Sequence, residues 1–577
     1  MSYASEHQRS LNEPEKFWGD QADQIAWFKK PETVLENLSD GTHRWFGDGE
    51  LNSAYLALDY QIEQGRGDQT ALIYDSPVTD TKKQYTYNEL RDQVAQFAGA
   101  LTNLGVGKGD GVIIYMPMVP EAGIAMLACA RIGAVHSVVF GGFAPHELAI
   151  RINDAKPKVV LTASCGIEFT KVIEYKPLVD EAMNQAEHKP EKIVVLQRPQ
   201  AQAELQEGRD LDWYELFNQA EPVGCTPMKS TDPLYIMYTS GTTGKPKGIV
   251  RDNGGHAVAL HYALRNIYNM QAGDVWMGCS DVGWVVGHSF IMYGPLMGGC
   301  TTVFFEGKPV RTPDAGTFWR VVEEYKVNGM FAAPTAFRAI RKEDPEGELF
   351  RKYDLSSLKH IFVAGEKLDS PTYHWLHEIS QKPIYDHWWQ TETGWPVTAP
   401  CTALGSTDIR VGSTNKPVPG YDVQVLDPMG NQLDANTNGG IAIKLPLPPG
   451  CAQTLWNDHE RYLNSYLGEF PGYYHTGDGG YIDENGFVYI MGRTDDVINV
   501  SGHRLSTGEM EELVAKHPAI AECAVIGVHD GLKGQVPVGL LLLKDGVDVD
   551  HKELEKELVG MIREQIGAIA CFNRALV

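Results

Sequence analysis

The residues best suited by type and spacing to do chemistry lie in one run, Tyr238-Thr-Ser-Gly-Thr-Thr-Gly-Lys-Pro-Lys-Gly248. Gly241 and Gly244 free the backbone to come close to a ligand. Thr239, Ser240, Thr242 and Thr243 add hydroxyl and N–H donors, and Lys245 and Lys247 add charge. Such a set can cradle phosphate oxygens. The apolar run LYIM precedes it, so the loop leaves a buried strand, where a solvent-exposed Gly/Ser/Thr linker would not be expected. A Walker A loop is excluded, because Lys245 is followed by Pro246 rather than Ser or Thr.

Any phosphate must be met locally, since the 577-residue chain carries a formal net charge of -25. That balance argues against nucleic acid and anionic membrane as partners. The nine cysteines form no CxxC pair and read as reduced thiols engaged in core packing. The N-terminus has neither a basic n-region with an apolar h-region nor the composition of a transit peptide, and no segment is long and charge-free enough to span a bilayer. A cytoplasmic protein is expected.

The elements that must position the loop are α/β. YTYNELRDQVAQFAGALTNLG has helical spacing, GVIIYMP is a short apolar strand, and a helix over Glu121 to Ile132 leads to the strand HSVVF. The alternation recurs at KVVLTAS, KIVVL, TTVFFEG and HIFVAGE, which predicts parallel sheets covered by helices behind a polar, aromatic-dotted opening to about Ala54. From about Val418 short strands punctuated by Gly, Pro and Asn predict a β-rich subdomain. A hairpin (AECAVIGVHD, VPVGLLLLKDG) and an amphipathic helix over His551 to Ile566 then predict a compact α+β tail. The expected division is a large domain over 1–494 and a small, mobile, incomplete one over 495–577.

The loop, together with FAAPTAFRAI, VAGEKLD, DHWWQTETG, YYHTGDGGYID and GRTDDVINVSGHRLST in that order, resembles the AMP-forming acyl-CoA synthetases of the adenylate-forming superfamily. The resemblance covers nearly the whole chain. It implies ATP, Mg2+ and coenzyme A as the molecules bound, and an acyl-AMP intermediate. It assigns Thr391 and Glu392 to phosphate and Mg2+, with Glu392 the metal contact, and Arg504 to the phosphate as a catalytic cation. Gly365, Glu366 and Lys367 would pack on adenine, although the family more often has Pro where Lys367 stands. Asp386, His387, Trp388 and Gln390 complete the nucleotide wall, and Trp388 taken alone reads as a core aromatic. Asp478 and Arg493 would grip the ribose, and Asp495 matches the hinge on which the small domain swings.

The resemblance also bears on the acid. Trp389 matches the indole that closes the pocket in the short-chain branch, which excludes long acyl chains by overlap. Val285 and Val286 would form the walls. Ala364 stands where acetate-specific relatives carry Val, leaving room for about one more carbon. GIVRDNGGHAVAL and Trp395 also look like the propionyl-CoA synthetase branch. Propionate is therefore expected, with acetate as the alternative acid.

Gly142, Ser501 and Arg563 match positions lining the CoA channel, whereas GIEFTK puts Glu168 and Lys171 where arginines are expected near the nucleotide end of CoA. The family's catalytic lysine lies in a PKTRSGK-like segment past the helix containing Arg563, beyond Val577, so a C-terminally clipped chain is expected. A protein that binds AMP or an acyl-adenylate without forming it stands as the rival reading, and a carrier-loading adenylation module as a second.

Overall fold

The computed structural model describes residues 2–239, 245–494, 497–500, 503–531, 533–544, 547–567 and 570–577, without the side chains of residues 497, 499, 503, 504 and 506. Two seven-stranded sheets form the body. The first runs Asp210–Asp212, Lys192–Leu196, Val159–Ala163, Gly111–Tyr115, Val135–Val138, Pro233–Thr239, Lys247–Asp252 in spatial order. The second runs Ile384–Asp386, His360–Val363, Gly329–Ala332, Val275–Cys279, Thr301–Phe305, Thr70–Ser76, Thr81–Thr86.

Strand alternation divides the core into layers. In the first sheet Val112, Ile114, Leu161 and Val194 join a central apolar cluster, while Ile113, Val160 and Val195 join a separate one with Leu148, Ile152 and Val179. In the second, Trp276, Phe304, Phe331 and Phe362 face the central cluster, and Met277, Val303, Met330 and Ile361 pack on Trp319, Phe337 and Leu376. Both faces of both sheets are thus buried, with helices such as Pro120–Ile132 and Gly254–Asn266 contributing to the central cluster between them. Strands buried on both faces read as continuous apolar runs, which is how GVIIY and KVVL look in sequence.

The parallel sheets expected from the βα alternation each carry one antiparallel strand at an edge. Thr81–Thr86 pairs antiparallel with Thr70–Ser76, and Lys247–Asp252 pairs antiparallel with Pro233–Thr239. Antiparallel neighbours of this kind need no crossover helix. The polar, aromatic-dotted opening is part of the core. It folds into helices Tyr3–Asn12 and Pro14–Ala22, and Phe17, Trp18, Trp45 and Phe46 enter the central core.

Beyond the two sheets, Asp422–Leu426, Gly439–Lys444, Tyr473–Ile482 and Val488–Arg493 form a four-stranded antiparallel sheet. Residues from Val497 onward build a five-stranded sheet with helices Thr507–Ala515 and His551–Gln565 around their own apolar cluster, including Met510, Leu541 and Leu558. All nine cysteines are free. Among the described residues no helix is long and apolar enough to cross a membrane.

Candidate functional site

Adjacent parallel strands His360–Val363 and Ile384–Asp386 end side by side, with Val363 opposite Asp386. Their carboxyl ends release the segments Ala364–Lys367 and His387–Gly394, the place where open α/β sheets bind ligands. A cavity of about 510 Å³ opens there, walled by both segments, by Asp478 and Arg493 of the antiparallel sheet, and by Glu511 and Glu512 of the helix Thr507–Ala515.

Asp478 and Arg493 are register partners on neighbouring strands, their charged groups 3.8 Å apart. Asp478 Oδ2 accepts from Trp388 Nε1 at 3.1 Å and from Gln390 Nε2 at 2.7 Å. Burial pushes its carboxyl up to about 6, against the opposing pull of Arg493. Trp388 is thus both a core aromatic and a donor in the wall. Burial likewise pushes Asp386 up to about 8. His387 turns inward: its Nδ1 donates to Val363 O at 2.7 Å, its Nε2 accepts from Tyr268 at 3.0 Å, and burial lowers it to about 3. Its imidazole is therefore neutral and engaged in the core. Lys367 forms an ion pair with Glu512, and Glu366 accepts from Thr335 N at 3.0 Å while pairing with Arg338.

The candidate phosphate loop lies between the strand ends Thr239 and Lys247, which face each other in register. Ser240, Gly241, Thr242, Thr243 and Gly244 lie outside the described residues. Around them, the buried Thr239 hydroxyl has no hydrogen-bond partner among the described residues, and Arg461 donates to Lys245 O at 2.9 Å. Lys247 Nζ sits 4.7 Å from the Tyr466 ring centre, and Tyr466 donates at 2.6 Å to Glu392. Lys247 and Glu392 therefore meet on one tyrosine, a link that residue spacing does not reveal.

Arg251 escaped assignment to the site because its work is done on backbone oxygens. Fully buried, it donates to the carbonyls of Thr391, Glu392 and Gly450. It sits directly behind the loop that carries Thr391 and Glu392.

The acid-pocket candidates are less tightly grouped. Ala364 is buried in the central core; Val286 and Trp389 pack against that core, Trp389 edge-on to Phe290 with centroids 5.5 Å apart. Val285 and Val286 are half-buried on the turn Val285–Gly287. Of the four, Trp389 alone lines the cavity described above. The described CoA candidates Gly142, Lys171 and Arg563 are exposed and line none of it. Lys171 lies on a small hairpin where Lys308 reaches Glu168 at 3.5 Å and Arg311 stacks on Phe169, cations that the sequence comparison of GIEFTK did not include. Asp495 and Ser501, and the Arg504 side chain, lie outside the described residues.

Among the described residues no three His, Cys, Asp or Glu side chains cluster as a preformed metal site.

This arrangement is matched by family models along almost the whole chain: Acetyl-coenzyme A synthetase N-terminus over residues 3–57, AMP-binding enzyme over 58–452, and AMP-binding enzyme C-terminal domain over 509–577. The chain belongs to the AMP-binding enzyme family. It is a short-chain acyl-CoA synthetase, an acid–thiol ligase using ATP, Mg2+ and CoA. It is 50% identical over its whole length to human acyl-CoA synthetase short-chain family member 3, mitochondrial, covering 84% of that protein. It is 44% identical to propionate--CoA ligase of Escherichia coli, over 98% of this chain and 91% of that one. An acetoacetyl-CoA synthetase from Streptomyces lividans superposes with a TM-score of 0.88 at 26% identity, over 100% of this chain and 86% of that one.

Proposed function

We propose that the acid is propionate, converted through propionyl-AMP to propionyl-CoA with release of pyrophosphate and AMP. The observation that carries this reading is Ala364, a small buried side chain at the end of the strand His360–Val363, on the core against which Trp389 packs. Val at this position would fill the volume of the extra carbon, and the indole bars long chains. The likeness to propionate--CoA ligase supports the same acid. Acetate, one methylene smaller, is the second substrate of this pocket, since such a difference is worth only about 1–3 kcal/mol.

In this reading the Thr239 hydroxyl, Lys247 and the loop between them hold the outer phosphates, and Asp478 accepts from the ribose hydroxyls while Gln390 and Trp388 hold it in place. Gly365, Glu366 and Lys367 border the adenine. Glu392 would hold a magnesium ion, which would supply Lewis-acid neutralisation of the charge developing on the phosphates. The substrate carboxylate attacks the α-phosphorus and pyrophosphate leaves; the CoA thiol then attacks the acyl carbon and AMP leaves. Residues 1–494 and 495–577 act as two bodies turning about Asp495 between the steps, so that Arg504 serves the first and Ser501, Gly142, Lys171 and Arg563 the CoA-bound second. Comparing kcat/KM for acetate, propionate, butyrate and hexanoate tests the assignment. Propionate should lead and hexanoate should fail; acetate ahead of propionate would overturn it.

A further inference from the structure

Arg251 lies on the strand Lys247–Asp252, four residues beyond Lys247, with no exposed surface. A buried cation is costly unless its donors are met, and carboxylates are the usual partners. Among the described residues its partners are four oxygens, none of them from a carboxylate. Nη1 donates to Glu392 O at 3.1 Å and to Gly450 O, Nη2 to Thr391 O, and Nε to the Tyr235 hydroxyl at 3.3 Å. His288 lies 4.3 Å ring-to-ring from Tyr235 and is neutral: burial lowers it to about 4, with the Arg251 charge among the smaller causes.

The next turn of the loop wraps the guanidinium on a second side. Gly394 has φ +75°, and a Cβ there would stand 2.5 Å from Arg251 Cζ. Its carbonyl is held by Ser289 Oγ at 2.7 Å. Two consecutive carbonyls aimed at one planar fork fix the peptide planes on either side of Glu392. They thereby set the directions in which the Thr391 hydroxyl and the Glu392 carboxylate leave the backbone. Lysine, with one compact ammonium, cannot reproduce that fork.

We infer that Arg251 is a positioning residue for adenylation: it presents Thr391 and Glu392 to the ATP phosphates and their Mg2+ by holding the backbone of the loop from behind. The inference rests on the reading of Thr391 and Glu392 given above. It also gives the run GIVRDNGGHAVAL a task, because Arg251 is the residue of that run that reaches the reacting loop.

The test separates the half-reactions in the full-length protein. Arg251→Met keeps the bulk and removes the donors. It should lower propionate-dependent ATP–pyrophosphate exchange about a hundredfold, through a small misplacement of the loop. It should also raise the Mg2+ concentration giving half-maximal rate, and leave CoA transfer from supplied propionyl-AMP within about threefold of wild type, because that step does not use the Thr391–Glu392 pair. Added guanidinium ion should restore part of the exchange in Arg251→Ala. Arg251→Lys, which keeps the charge and so guards against a folding failure, should lose about tenfold in exchange with the same selectivity. Equal loss in both half-reactions, or an unchanged Mg2+ requirement with no guanidinium rescue, would overturn the inference. Glu392→Gln distinguishes the layers: if it keeps full exchange, the reading of the loop fails; if it loses exchange while Arg251→Met does not, the role of Arg251 alone fails.

Discussion

Replacing Asp478 by Asn should separate stability from nucleotide affinity. In the native protein the Asp478 carboxyl is raised from 3.8 to about 6 by burial, which corresponds to about 3 kcal/mol. An acid that holds its proton more tightly when folded costs the native state stability as pH rises from 3.8 through 6, and the full cost stands at pH 7.5. Asn carries no such cost. It does weaken the bonds from Trp388 and Gln390 at 3.1 and 2.7 Å, since a charged acceptor becomes neutral. The net change at pH 7.5 should therefore be a gain of between about 0 and 3 kcal/mol, and none at pH 4. The ribose loses its charged acceptor, worth about 1.5–3 kcal/mol, so AMP binding and the KM for ATP should weaken about ten- to a hundredfold. Calorimetric titration with AMP from pH 5 to 8, paired with thermal unfolding at each pH, reads both effects. Wild-type affinity should fall as pH drops below about 6, and that of the variant should be weak and flat. A variant that binds AMP like wild type, or loses stability and affinity together, would refute the reasoning.

Other substitutions test other joints. Ala364→Val should raise the barrier for propionate by about 1–3 kcal/mol with little effect on acetate, and Trp389→Gly should admit acids of four carbons or more, both read as kcat/KM across the series. Lys367→Ala removes the ion pair with Glu512, whose side chains are 26% and 31% exposed. Unfolding should move by no more than about 1 kcal/mol, while single-turnover CoA transfer from propionyl-AMP should speed up as one contact to the helix Thr507–Ala515 is released. Gly99→Ala should lower the unfolding midpoint sharply, because a Cβ there would stand 1.9 Å from the Glu221 carbonyl oxygen.

Several of the candidate residues were legible as residue types in order: the acid and tryptophans of DHWWQTETG, and Asp478 ahead of Arg493. Asp386, Trp388, Trp389, Asp478 and Arg493 all line the cavity with their side chains, so residue type alone points to them. Arg251 is the opposite case. Its partners are the carbonyls of Thr391, Glu392 and Gly450, which every residue type carries, so nothing in the pattern points to it. Tyr466, which bridges Lys247 and Glu392, was hidden by sequence distance. His387 borders the cavity, but the hydrogen bond between its imidazole and the Tyr268 hydroxyl, from another element, could not be read from spacing. The same limit applied to the fold. The βα alternation was readable, but the antiparallel edges depend on which neighbour a strand meets, and the burial of Phe17 and Trp18 in a core built from distant residues carries no local signal.

The central claim, a propionate-dependent adenylate followed by thioester transfer, is tested most directly by oxygen transfer. The full-length protein is given propionate labelled with ¹⁸O in its carboxylate, ATP, Mg2+ and CoA, and the products are read by mass spectrometry. One labelled oxygen should appear in the phosphate of AMP for each propionyl-CoA formed, with none in pyrophosphate. Unlabelled AMP, ADP with orthophosphate, or no propionyl-CoA would contradict the account.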